Sequence, residues 1–208
     1  MDITDPAVFQ YMHSLLPPRD AVLQEMEELA DERQIPIIGP VVARILYQLV
    51  KLVNAKTIFE MGSAIGYSTI WIARAAGEGS VVFYTDNDPD RARQAEQFFE
   101  RAGVRDRVRI LKGDALDLFD QTPGVFDVIF TDIDKPHYPA AFQRAVPRIR
   151  KGGLFLADNV LWSGRVTQPP EDDATRGIIE FNRLIYSSPD LFPTILPVRD
   201  GFAVCQKL

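Results

Sequence analysis

Two stretches of the chain change character within a residue or two. Ile129-Phe130-Thr131 runs into Asp132-Ile133-Asp134-Lys135, and Leu154-Phe155-Leu156-Ala157 runs into Asp158-Asn159. A short apolar run reads as a strand buried in a parallel sheet, which has no internal use for carboxylates. At the carboxyl end of such a strand they face the crevice where open α/β sheets bind ligands. Asp132, Asp158 and Asn159 are hard oxygen donors; gathered in one place they suit Mg²⁺ best, with Ca²⁺ or Mn²⁺ as alternatives. Lys135 then stands at the edge of a cation site. Taken singly, Asp132 and Asp158 could each cap a helix or turn, and Lys135 could be a solvated lysine.

A second group of residues points to a different ligand. Glu60-Met61-Gly62-Ser63-Ala64-Ile65-Gly66 lies between a strand pattern and a helix pattern. Glycines there allow a sharp turn and close approach of the backbone to a ligand. The dinucleotide fingerprint needs three glycines, and only Gly62 and Gly66 are present, which leaves less provision for a pyrophosphate. A nicotinamide-dependent oxidoreductase is disfavoured for that reason. About 20 residues further on, the next strand ends in Asp86, placed to accept hydrogen bonds from a ribose diol. A glycine loop with a ribose acid suits a mononucleoside cofactor such as S-adenosylmethionine, with Glu60 and the loop towards its amino-acid part. The competing readings are an ordinary strand-to-helix turn and a helix cap at Asp86, although Asp88 before Pro89 is the better cap.

The elements that must position these groups alternate from residue 56 onward. Strands are expected at Thr57–Met61, Ser80–Thr85, Val108–Lys112, Val125–Thr131 and Leu154–Ala157, with helices between them. That series calls for an α/β fold: a mostly parallel sheet with helices on both faces. Phe192–Val198 and Phe202–Lys207 are separated only by Arg199-Asp200-Gly201, a hairpin signal, so the last strand should run antiparallel. Residues 1–54 read as an N-terminal helical cap of three segments: Asp5 to Leu16, about Arg19 to Gln34, and a third ending near Asn54. Together with residues 55–208 they form one expected domain, since 208 residues with no linker suit a single core.

A hydrophobic content of 46% excludes disorder, and a net charge of −6 disfavours, without excluding, a nucleic-acid partner. The single cysteine, Cys205, reads as a buried thiol in a reducing compartment. No signal-peptide pattern opens the chain, and the apolar stretch from Ile35 to Val53 is broken by Arg44, Gln48 and Lys51. The expectation is a cytoplasmic protein with no membrane span.

Glu60-Met-Gly-Ser-Ala-Ile-Gly-Tyr-Ser68, Asp132-Ile-Asp-Lys135, Asp158-Asn-Val-Leu-Trp-Ser-Gly164 and Asp200-Gly201 closely resemble the cation-dependent O-methyltransferases, the family of the caffeoyl-CoA and catechol enzymes and their bacterial relatives. The resemblance covers essentially the whole chain. It implies a Rossmann-like methyltransferase fold with a seven-stranded sheet. It places Glu60, Gly62, Ser63, Ser68, Asp86, Ala115, Asp132 and Asp134 around S-adenosylmethionine, makes Asp132, Asp158 and Asn159 metal ligands, and makes Lys135 the catalytic base. Trp162, Ser163 and Tyr138 are candidate substrate contacts, with core packing the equal alternative for the aromatic pair. The implied reaction is methyl transfer to a small catechol-like acceptor: one cation binds both oxygens of the diol and acidifies the hydroxyl that attacks. A homodimer through the opening helices is also implied. The segment Ile37-Ile-Gly-Pro-Val-Val-Ala43 departs from the family by lacking its small polar residues, and a CoA thioester substrate is not supported. Two other readings remain. One is methylation of a hydroxylated base in tRNA, for which Arg101, Arg105, Arg107 and Arg109 would be the basic cluster; the other is a non-catalytic S-adenosylmethionine-binding protein.

Overall fold

The computed structural model describes residues 3–208. Three helices come first: α1 (Pro6–Ser14), α2 (Ala21–Arg33) and α3 (Gly39–Leu52). The alternating part follows as β1 (Thr57–Met61), α4 (Tyr67–Ala76), β2 (Val81–Asp86), α5 (Pro89–Arg101), β3 (Val108–Lys112), α6 (Ala115–Gln121), β4 (Phe126–Thr131), α7 (Tyr138–Ala145) and β5 (Ile149–Ala157). The chain closes with α8 (Asp173–Ser187), β6 (Leu191–Leu196) and β7 (Phe202–Lys207). Each expected strand is present, and β5 begins earlier than its apolar run because Ile149-Arg-Lys-Gly-Gly153 already adopts extended backbone.

The seven strands form one sheet in the order β3-β2-β1-β4-β5-β7-β6. Strands β1 to β5 pair in parallel, and β7 is antiparallel to both β5 and β6. The order reverses direction between β1 and β4, where Glu60 pairs with Phe130 and Met61 with Thr131. Loops leaving two neighbouring parallel strands diverge to opposite faces at such a switch point and open a crevice. The glycine loop after β1 and the Asp132–Lys135 segment after β4 leave the sheet there.

Two-residue periodicity along the strands divides the core between the two faces. Ile58, Phe130 and Leu156 point to the side covered by α3, α4 and α5, where they meet Leu46, Ile70 and Phe99. Phe59, Ile129 and Phe155 point to the side of α6, α7 and α8, against Phe119, Ala141 and Phe181. Phe59 sits edge-on to Phe119 with centroids 4.9 Å apart and meets Phe126 at 5.5 Å. Burial of such rings holds the strand ends rigid, and the site rests on those ends. Cys205 is buried on this face, and burial pushes its thiol up to about 12, as a structural thiol requires.

The opening helices differ from one another. Helix α3 packs against α4 through Val42, Ala43, Leu46 and Val50. Helix α1 buries none of its residues and exposes Val8 and Tyr11, with Leu15 exposed just past its end.

Candidate active site

A cavity of about 710 Å³ opens at the carboxyl ends of β1, β2, β3 and β4. Its first half is built by backbone. Gly62 lies at φ +79°, and a Cβ there would sit 2.6 Å from the Asp132 carbonyl oxygen, so the loop after β1 and the loop after β4 touch only because this residue is glycine. The loop is stitched to β2: the Ser63 N–H donates to the Thr85 carbonyl at 2.9 Å and the Thr85 hydroxyl to the Glu60 carbonyl at 2.7 Å. Gly66 carries no side chain to cap α4, so no capping group takes the first-turn amides.

Asp86 ends β2 on the cavity wall. Its Oδ2 accepts the Ala64 N–H at 2.9 Å and its Oδ1 the Asp88 N–H at 2.8 Å, while burial raises its carboxyl above the usual range. Asp88, not Asp86, caps α5, accepting from the N–H groups of Asp90 and Arg91. Asp114 caps α6 in the same way and so sets Ala115 on the wall. Ser63 and Ser68 also reach the wall, whereas Glu60 lies behind it, fully buried. The Thr69 hydroxyl donates to Glu60 Oε2. Burial lifts the Glu60 carboxyl to about 7, against the opposing pull of the Ser68, Thr69 and Ser63 hydroxyls.

The second half is built by side chains. Lys135 Nζ donates to Asp132 Oδ1 at 2.7 Å and to the Tyr138 hydroxyl at 3.0 Å. The Tyr138 hydroxyl in turn donates to the Asp158 carbonyl at 2.9 Å. Its ring lies 4.9 Å from Nζ and packs edge-on against Phe181. Tyr138 is fully buried and does not line the cavity. The expected substrate contact is therefore, in this structure, a strut beneath the lysine.

Asp158 is wholly buried, with Oδ2 3.4 Å from Arg199 Nη1 and Oδ1 without a hydrogen-bond partner among the described residues. Burial first, and the charge of Asp132 second, raise its carboxyl to about 7. Non-glycine residues with positive φ gather around it: Asn159 (59°), Trp162 (47°), Ser163 (53°) and Arg199 (51°). Such backbone costs on the order of 1–3 kcal/mol per residue and persists where surrounding bonds over-determine it. Here the turn between β6 and β7 supplies those bonds. Asp200 accepts the Leu161 N–H on its carbonyl at 2.9 Å and the Ser163 N–H on its carboxylate, and the Gly201 carbonyl accepts the Val160 N–H at 3.1 Å.

The cavity wall thus collects Gly62, Ser63, Ser68, Asp86 and Ala115 on one side, and Asp132, Asp134, Lys135, Asn159 and Trp162 on the other. Four expected residues, Glu60, Tyr138, Asp158 and Ser163, are not on it. Arg199 lines it unforeseen, since its tripeptide reads only as a hairpin turn. Pro36, Ile37 and Ile38 also line it, which gives the departure before α3 an apolar face towards the ligand. No group of three or more His, Cys, Asp or Glu side chains that could hold a metal occurs among the described residues; the expected set has two acids and an amide. Within the arginine cluster, Arg101 pairs with Glu25, Arg105 with Glu96, and Arg107 with Asp106, so most of its charge is internally matched.

A doubly wound sheet with a glycine loop, a strand-end acid and a cavity at the switch point is the arrangement of a nucleoside-cofactor enzyme. A profile described as O-methyltransferase matches residues 18–208, and the chain belongs to that family; its enzymatic class is that of an S-adenosylmethionine-dependent O-methyltransferase. It is 36% identical over 183 residues to a catechol O-methyltransferase of Niastella koreensis, covering 85% of this chain and 83% of that protein. A caffeoyl-CoA O-methyltransferase of Eucalyptus gunnii is 28% identical over 97% of this chain and 88% of its own length. Among solved structures, the O-methyltransferase from Bacillus cereus in complex with SAH superposes with a TM-score of 0.89 at 33% identity, over 97% of each chain. The O-methyltransferase TomG from Streptomyces achromogenes in complex with SAM gives 0.89 at 28% identity, covering 97% of this chain and 96% of its own.

Proposed function

We propose that the protein transfers the methyl group of S-adenosylmethionine to one hydroxyl of a small vicinal diphenol, with a divalent cation held by Asp132, Asp158 and Asn159. The observation that carries this reading is Asp158: a fully buried carboxylate whose Oδ1 has no partner among the described residues, beside a second acid. Burying one charge costs several kcal/mol unless a counter-charge joins it, and Arg199 supplies a single long contact. The donors are all hard oxygens, which fits Mg²⁺. Bound there, such an ion would acidify the diol and fix both its oxygens.

The chain's own residues do the rest. The glycine loop and Asp86 hold the nucleoside; Gly62, Ser63, Ser68, Asp86, Ala115 and Asp134 are its proposed contacts, with Glu60 supporting Ser68 from behind. Lys135, held in place by Tyr138, receives the hydroxyl proton at Nζ once its ammonium has released one of its own three protons to solvent. The phenolic oxygen forms its bond to the methyl carbon as the bond to sulfur breaks, and the sulfonium leaves as a thioether. Most of the acceleration in such an in-line transfer comes from positioning. Trp162 walls the acceptor side. The relatives named for catechol and caffeoyl-CoA support a phenolic acceptor. The exposed Val8 and Tyr11 of α1, with Leu15 just past its end, support a homodimer, which Tyr11→Glu should split into monomers by sedimentation.

The test is transfer of labelled methyl to a panel of catechols with and without EDTA. Loss of turnover on chelation and recovery with Mg²⁺ are expected. Turnover indifferent to chelation would sink the cation's part in the reaction.

A further inference from the structure

We propose that Arg199 selects acceptors carrying a carboxylate, so that the preferred substrate of the reaction proposed above is an anionic diphenol rather than a neutral one. Three cationic side chains other than histidine line the cavity: Arg91, Lys135 and Arg199. Arg91 stands on the cofactor side, where it pairs with Asp88 at 3.6 Å. Lys135 is committed to Asp132, the Ile133 carbonyl and the Tyr138 hydroxyl. Among the described residues Arg199 has one hydrogen bond, from Nη1 to Asp158 at 3.4 Å, which leaves the other donors of its five-donor fork open. A planar guanidinium matches a carboxylate through two parallel bonds, which a lysine cannot do.

Backbone geometry argues in the same direction. Arg199 adopts φ +51° in a three-residue turn, a conformation a residue with a Cβ takes at a cost. The neighbouring Asp200 and Gly201 are laced to Leu161 and Val160, which pins the turn carrying Arg199 to the strand-end loop, and the guanidinium lines the wall within 3.4 Å of Asp158. Asn159 and Trp162, on the strand-end loop that the turn grips, line the same cavity.

The test is calorimetric binding of protocatechuate and of catechol to the protein saturated with S-adenosylhomocysteine and Mg²⁺, for wild type, R199K and R199G. The wild type should favour protocatechuate by about tenfold or more, the usual scale of a charge-assisted bidentate contact. R199G should bring the ratio near one, and R199K should fall between. Equal binding of the two acceptors by the wild type, binding of neither, or a ratio unchanged in R199G each overturns the proposal. Methyl transfer to both acceptors, run in parallel, judges the proposed reaction separately from this preference. Unchanged affinity for S-adenosylhomocysteine in both variants confirms that they fold.

Discussion

The two halves of the cavity are finished to different degrees. On the cofactor side, Asp86 has a backbone N–H on each oxygen, Asp88 and Asp114 cap their helices, and the glycine loop is bonded to β2; the exceptions there are Glu60 Oε1, without a partner among the described residues, and left-handed Ala64. On the acceptor side, Asp158 Oδ1 and Trp162 Nε1 have no partner among the described residues, and four non-glycine residues hold left-handed backbone. Satisfied polar groups give a rigid mould, ready before the ligand arrives. Buried unpaired groups raise the free energy of the empty state, and a ligand that pairs them recovers it. Under the proposed function, the more fully paired half receives the one cofactor and the less paired half is completed by what it binds.

The largest effect that should separate the halves is Asp158→Ala. We expect turnover to fall by about a thousandfold, as for loss of a major electrostatic contributor, with S-adenosylhomocysteine affinity unchanged by calorimetry. Equal loss of cofactor binding would show that the halves are one unit. Glu60→Gln probes the buried acid behind the cofactor wall. Its folded-state pKa, about 7, lies above the ordinary 4.5, so its contribution to stability is fully present below about pH 4.5 and lost as pH rises through 7. Thermal melts should show the variant gaining on wild type between about pH 5 and pH 8, by up to about 3 kcal/mol. A difference that does not vary with pH would count against this. Gly62→Ala forces a Cβ against the Asp132 carbonyl, the seam between the halves. Urea unfolding should reveal a loss of about 2 kcal/mol, and cofactor and acceptor affinity should fall together. Smallest is Tyr138→Phe, which keeps the buried ring and removes the strut under Lys135. We expect kcat to fall about tenfold with KM unchanged, since one hydrogen bond that orients the base is lost. A change confined to KM would return Tyr138 to acceptor contact.

The same contrast explains what could be read from the chain directly. Strand ends and their acids were legible because an abrupt passage from Leu-Phe-Leu-Ala to Asp-Asn has one structural meaning in a parallel sheet. The assignment of the cap to Asp88 rather than Asp86 also followed, because Pro89 marks a first helical turn. Burial depth was not legible. Nothing in Glu60-Met61-Gly62 says that the acid falls behind the wall while the glycine lies on it, because that depends on where α4 places Ser68 and Thr69. Tyr138 was ambiguous for the same reason: an aromatic three residues after a lysine can face a cavity or carry the lysine. Arg199 was missed because its three-residue segment satisfies the rules for a turn, and turn chemistry hides a side chain's second use.

The reversed strand β7 has a consequence in time as well as in space. Because it runs back between β5 and β6, it delivers the turn at Arg199–Gly201 to the same edge as the ends of β1 and β4. Apart from Asp134, the proposed cofactor contacts lie within residues 60 to 115, whereas the acceptor wall waits for residues near 200, which leave the ribosome much later. Domains begin to gain structure as they emerge. A growing chain can therefore set out most of its nucleoside pocket first, and it has a complete acceptor wall only after the hairpin has threaded into the sheet.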